Sequence, residues 1–150
     1  MRFAVVAALV AAVMAVAAPA APAKIKRGGF AGSTSAEDPV TFKVDRRGRV
    51  ILFSFDAVAL TCSDGDSVDT PKVVTPRSER FSVSGRAFGI RARNSTTGFG
   101  WDVEGKFRRR GRRATGTLTV FASFNDANQQ DADGTIKCES EALAWSVKRR

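Results

Sequence analysis

The chain has 150 residues, a formal net charge of +9, and neither histidine nor tyrosine. Without histidine, the usual hydrolytic triads and histidine-based metal sites are excluded, which removes most mechanisms of exported hydrolases. The length suits one domain with one hydrophobic core, and the excess of basic residues favours anionic partners.

The N-terminal residues have the features of a secretory signal peptide. Arg2 supplies a short positive region, residues 3–18 form an uncharged apolar run, and residues 21–23 (Ala-Pro-Ala) have the spacing of a signal peptidase site. A membrane anchor is less favoured, because the run is shorter than the ~20 residues that span a bilayer. We expect cleavage after residue 23 or slightly earlier, and a secreted or otherwise extracytoplasmic protein with a flexible basic N-terminus (24–29) and one domain (30–150).

The two cysteines, Cys62 and Cys138, favour a disulfide. An even number of cysteines in an exported chain is typical of a disulfide framework, and a bridge across so long a loop stabilises by roughly 4 kcal/mol on the loop-entropy model. Two buried thiols are the alternative. A metal held by one cysteine pair is less favoured, because no histidine can complete the ligand set.

Alternation of apolar and polar residues predicts short strands in the first half of the chain. A strand at 30–34 is followed by a hairpin, in which residues 39–44 alternate strictly and residues 45–49 form the turn with Gly48 at its positive-φ position. The apolar run 50–55 is the next strand.

The phase of the alternation changes after this run. A bulge near Asp56 and Ala57 brings residues 58–62 into phase with the preceding strand. Residues 63–80 show little periodicity and predict a long surface excursion.

The second half of the chain is organised around a hairpin at residues 99–124. Residues 81–92, which precede it, predict two strands separated at Gly85. Each strand of the hairpin has one solvent-exposed and one apolar face, and Gly111 lies in the arginine-rich turn between them. Residues 125–134 predict a polar loop, and the closing strand begins at 135–138 and continues to Val147 in a shifted phase. Seven or eight short strands without an amphipathic helix indicate an all-β domain, an antiparallel β-sandwich or a flattened barrel.

Several strand and turn signatures occur together along the chain. They are Phe30-Ala31-Gly32-Ser33-Thr34, Pro39-Val40-Thr41-Phe42-Lys43-Val44 with its glycine turn, Cys62 followed by Asp64-Gly65, Gly105-Lys106-Phe107 leading to Gly111-Arg112-Arg113-Ala114-Thr115-Gly116-Thr117-Leu118, and Cys138 shortly before Trp145. In these features the chain resembles a loose class of small exported bacterial all-β proteins with two cysteines, mostly uncharacterised. The resemblance implies the fold and export and transfers no catalytic residue. Glu139-Ser140-Glu141 stands where that class has a glycine.

Two acidic features offer alternative chemistry. Asp102 and Glu104 lie on one strand face, ~7 Å apart, which is within the range of a two-carboxylate glycosidase. An exposed pair neutralised by neighbouring arginines or threonines is the interpretation that the pattern favours. The acidic segments 64–69 and 125–133 suggest calcium, but neither has the EF-hand order of ligands. We therefore predict no enzymatic activity, no cofactor and no metal.

The strongest candidate site is the arginine-rich turn of the central hairpin. Guanidinium groups bind phosphate and carboxylate in a bidentate manner, so we expect an anionic polymer of the cell envelope or exterior as the partner. Sequence-specific nucleic acid is not expected, because no aromatic residue is interleaved to stack on bases. The candidate binding residues are Arg108, Arg109, Arg110, Arg112 and Arg113, joined by Arg46, Arg47 and Arg49 if both turns lie at the same end.

Two other interpretations of the same surfaces remain open. In the first, the arginines only keep the protein soluble and prevent the strand ends from pairing with other chains. Alternatively, the domain is a protein-interaction module, such as an inhibitor or adhesin subunit, that uses the loops 63–80 and 125–134.

Overall fold

The computed structural model describes residues 25–75 and 81–150, apart from the side chains of Ser82 and Arg109, and the described chain is all-β. The predicted signal peptide (1–23) lies outside these residues, as do residues 76–80 of the predicted excursion. The expectation of seven or eight strands was too low. The described chain has twelve: β1 (Gly28–Thr34), β2 (Pro39–Val44), β3 (Val50–Phe55), β4 (Ala59–Cys62), β5 (Ser67–Asp69), β6 (Val73–Val74), β7 (Ser82–Ser84), β8 (Ala87–Arg93), β9 (Gly100–Arg108), β10 (Arg113–Phe124), β11 (Ile136–Glu139) and β12 (Leu143–Arg149).

The strands form one antiparallel sheet around the long strand β10. One edge of β10 pairs with β9, and the other pairs first with β12 and then with β11, so that β11 and β12 follow each other along the same edge. Ser140 joins the two, because its hydroxyl accepts a hydrogen bond from the Val120 N–H at 2.9 Å and its own N–H donates to the Val120 carbonyl. From this centre the sheet runs through β12, β1, β2, β3 and β6 on one side and through β9, β8 and β7 on the other.

The sheet is open, but it coils so that its two halves face each other across an aromatic core. The Phe42 ring lies 5.6 Å from the Phe88 ring, and the Phe53 ring lies 5.6 Å from the Phe81 ring, between centroids. At this closure the Phe81 N–H donates to the Val50 carbonyl, with 3.3 Å between nitrogen and oxygen. The inward residues of each strand are buried because they fill this core, which is the origin of the alternation.

The predicted phase change occurs at residues 56–58, which link β3 to β4 without being part of either strand. A bulge that the sequence did not indicate lies within β3, where residues 51–54 oppose 41–43 and Leu52 has φ of 52°. The expectation of a surface excursion without strands at 63–80 was wrong. The segment 63–80 includes β5, paired with β4, and β6, paired with β3. Both strands are too short to show periodicity, and they form because neighbouring strands offer free edges.

The predicted disulfide is confirmed. Cys62 and Cys138 lie opposite each other in the β4–β11 ladder, and the bridge joins residues 76 positions apart. Both residues are buried. Such a bridge is typical of an oxidising, extracytoplasmic compartment. In the described part of the chain, no helix is long and apolar enough to cross a membrane.

Candidate polyanion-binding surface

The two arginine-rich turns lie at the same end of the sheet. The β9–β10 turn stands beside the end of β12, which pairs with β10, and the next strand, β1, begins there at Gly28. Gly28 pairs with Val44, so β2 also ends there, and the β2–β3 turn follows. Four strand spacings separate the turns, roughly 19 Å in a flat sheet. We call this the basic end; its described segments are residues 25–27, 45–49, 85–86, 108–113 and 148–150.

The tip of the central hairpin is a tight, partly strained turn. Residues Arg109–Gly111 form a short turn that is not helical, because Arg110 and Gly111 have positive φ values of 57° and 75°. Gly111 therefore has the positive φ predicted from the sequence. A left-handed arginine costs roughly 1 kcal/mol, and backbone strain of this kind is concentrated at functional positions.

Three cations form a row on the outer face of the sheet next to the tip. Arg113 lies directly opposite Arg108 on β9 and opposite Lys148 on β12. All three side chains are exposed, since the alternate residues Phe107, Ala114 and Val147 point into the core. Like charges in directly opposed positions destabilise a sheet. An anion placed over the row would remove this repulsion.

The structure adds basic residues that sequence reasoning missed. A cleft of about 640 Å³ beside the tip is lined only by lysine and arginine residues. Three of these were not candidates from the sequence: Lys26 lies in the segment 24–29, which the sequence predicted only as flexible and basic, and Lys148 and Arg149 lie at the end of β12, to which it assigned no role. The complete lining is Lys26, Arg110, Arg112, Arg113, Lys148 and Arg149.

In the second turn, one arginine is neutralised and two are exposed. The Asp45 carboxylate accepts hydrogen bonds from the N–H groups of Arg47 and Arg49, at 2.8 and 2.9 Å, and forms an ion pair with the Arg49 guanidinium at 2.7 Å. The hydrogen bond from the Arg49 N–H is the main cause that lowers the pKa of Asp45. The Arg49 guanidinium and the Arg47 N–H lower this pKa further, whereas burial raises it. Arg46 and Arg47 are exposed.

The opposite end of the sheet is acidic. The turns there are residues 35–38, 63–66, 94–99 and 125–135. We call it the acidic end. Among the described residues, Asp45 is the one acid at the basic end, whereas the turns of the acidic end have Glu37, Asp38, Asp64, Asp66, Asp126, Asp131 and Asp133.

The carboxylate pair suggested for catalysis lies on the outer face of β9. The Asp102 carboxylate is 3.9 Å from the Arg91 guanidinium and lies opposite Thr119, and Glu104 is exposed between Gly89 and Thr117. The absence of enzymatic activity stays a prediction, and a catalytic role for this pair stays the alternative to it.

The acidic loops are organised by their own hydrogen bonds. The Asp126 carboxylate accepts from the Thr135 hydroxyl at 3.1 Å, and the Asp131 carboxylate accepts from the Asp133 N–H at 3.0 Å. Within residues 25–75 and 81–150, no group of three or more acidic or cysteine side chains is placed to hold a metal.

Comparison with protein-family models, with curated proteins and with solved structures found no match to this chain. Its function has to be inferred from its own residues.

Proposed function

We propose that this protein is an exported, non-catalytic binding module of the cell envelope or exterior, which binds anionic polymers through its basic end. The separation of charge along the sheet carries this proposal. A net charge of +9 spread evenly would indicate little more than solubility. Here the cations of both arginine turns, of the segment before β1 and of the end of β12 meet at one end, and every described turn acid except Asp45 lies at the other.

This distribution has two physical consequences for an approaching polyanion. The field of the separated charges orients the molecule, so that the basic end meets the polymer and the acidic end faces away. The polymer also screens the repulsion within the row Arg108, Arg113 and Lys148, so binding removes a cost that the free protein carries.

Export is part of the same proposal. The N-terminal pattern of residues 1–23 predicts a signal peptide, and the Cys62–Cys138 bridge suits an oxidising compartment outside the cytoplasm. A polyanion binder exported in this way meets the acidic polymers of the envelope before any nucleic acid.

The test is binding of residues 24–150 to the cell-envelope fraction of the source organism across a salt series. A tip variant changes Arg108, Arg110, Arg112 and Arg113 to Ser. A matched control removes the same number of cations outside the basic end, at Lys72, Arg91, Arg93 and Lys137. Circular dichroism and a thermal melt verify that all three chains are folded.

We expect the wild type and the control to bind at low salt and to dissociate steeply as salt rises, and the tip variant to bind weakly at every salt concentration. Equal binding by the tip variant and the wild type would overturn the proposal. A salt-insensitive interaction retained by the tip variant would instead favour the protein-interaction module, with its contacts in the loops of the acidic end.

A further inference from the structure

The cleft at the basic end differs from the rest of the basic surface because its cations converge. Its six cationic side chains come from three separate stretches of the chain, and no acidic side chain lines it. Within residues 25–75 and 81–150, the three ion pairs of the protein involve Arg49, Lys72 and Arg91, so none of them neutralises the cleft.

The backbone fixes the position of this lining. The Arg149 N–H donates to the Arg112 carbonyl at 2.9 Å, and the Arg150 N–H donates to the Gly29 carbonyl at 3.0 Å. These bonds fasten the end of β12 both to the hairpin tip and to β1. The cationic side chains therefore project from a rigid frame rather than from free chain ends.

The Arg149 side chain lies beside Gly28 of β1. A Cβ atom on Gly28 would lie only 3.2 Å from the Arg149 Nε atom, and Gly28 has φ of 130°, which favours glycine. A larger residue at position 28 would crowd the guanidinium, so glycine leaves the Arg149 side chain free to reach an anion in the cleft.

The chemistry of the lining selects among anions. Four of the six side chains are arginines, whose planar forks each place two N–H groups on two oxygens of an anion. A phosphate group has oxygens in several directions and can engage several forks at once. A carboxylate has only two oxygens in one plane and satisfies fewer of them.

We propose that this cleft is a discrete site for a phosphate group of a phosphate-linked linear polymer, an inference that rests on the polyanion-binding function above. Arg108, outside the cleft, and, for a polymer longer than tripolyphosphate, the exposed arginines of the second turn then bind the neighbouring units.

The experiment measures binding of tripolyphosphate, citrate and long-chain inorganic polyphosphate by calorimetry at matched ionic strength. A cleft variant changes Arg112 and Arg149 to Ser, and a matched control changes Arg46 and Arg47 to Ser, which removes equal charge from the same end but outside the cleft. Thermal melts verify folding. Binding to vesicles that contain an anionic phospholipid is also measured, to distinguish a polymer from a lipid headgroup as the source of the phosphate.

We expect the wild type and the control to bind one tripolyphosphate per chain, citrate to bind at least tenfold more weakly, and the cleft variant to lose at least tenfold in affinity. Equal affinity for citrate, or equal losses in the two variants, would overturn the cleft as a phosphate site while leaving polyanion binding intact. Preference for vesicles over polyphosphate would overturn the polymer as the source. Absence of polyphosphate binding by the wild type at low salt would refute the proposed function itself.

Discussion

The Trp145 indole lies directly over Gly116, its cross-strand partner in the β10–β12 ladder. Gly105, which pairs with Gly116 from β9, lies under the same ring. The two glycines leave the inner face of the sheet bare, and Trp145, 3% exposed, fills the space together with Phe88. The glycine pair therefore leaves the space that the largest side chain of the core occupies.

We expect Gly116→Ala to destabilise the fold by about 1–3 kcal/mol, the usual cost of overpacking a core. The added Cβ would overlap the Glu104 carbonyl oxygen and lie 2.5 Å from the Trp145 ring. Urea unfolding followed by tryptophan fluorescence measures the change. Gly29→Ala is the control, because its Cβ would have nothing within 4 Å. Equal effects of the two changes would refute the packing role.

The sequence predicted the parts of the fold that are encoded locally. Alternation over residues 99–124 predicted the central hairpin, and Gly48 and Gly111 have the expected positive φ values of 78° and 75°. The cationic cleft could not be predicted, because Lys148 reaches Arg113 only through the insertion of β12 between β10 and β1. Periodicity states which residues share a face and does not state which strands are neighbours.

The bulge in β3 was also hidden from the sequence, because its pivot is a leucine. Leu52 has φ of 52° and is half-buried, and a β-carbon in this region costs roughly 1–2 kcal/mol. Asparagine tolerates the left-handed region better than most residues. We expect Leu52→Asn to be more stable than Leu52→Ala by about 0.5–1 kcal/mol, although alanine is the more apolar residue. Paired chemical denaturation curves test the order, and an alanine variant at least as stable as the asparagine variant contradicts it.

We expect removal of the disulfide to loosen one region of the sheet more than the rest. The β4–β11 ladder contains only two residue pairs, one of which is Cys62 with Cys138, so the bridge holds the β4–β5 hairpin against the sheet. The double change to Ala should lower the free energy of unfolding by up to roughly 4 kcal/mol. Hydrogen exchange should accelerate most in β4 and β5. Equal acceleration in β9 and β10 would show that the bridge has no local role.

Asp45 should make stability depend on pH in the acidic range. Its pKa is lowered from the ordinary value of 3.8, so its contribution is complete at neutral pH and is lost as the pH falls through the lowered pKa. Asp45→Asn keeps an oxygen for the N–H groups of Arg47 and Arg49 but loses the ion pair, at a cost of about 0.5–1 kcal/mol near pH 7. Unfolding curves from pH 7 to pH 2 should show this difference between wild type and variant shrinking to nothing at the acidic limit. A difference that persists there would contradict the assignment.

The same substitution should strengthen polyanion binding while it weakens the fold. Asp45 is the one described acid at the basic end, and its loss releases the Arg49 guanidinium for the polymer. One more cation in contact steepens the dependence of log affinity on log salt by about 0.7–0.9 and raises affinity by up to roughly eightfold at about 0.1 M salt. Asp66→Asn, an equal change of charge at the acidic end, is the control and should have little effect. If both variants bind more tightly by the same factor, net charge rather than the arrangement of the basic end governs binding.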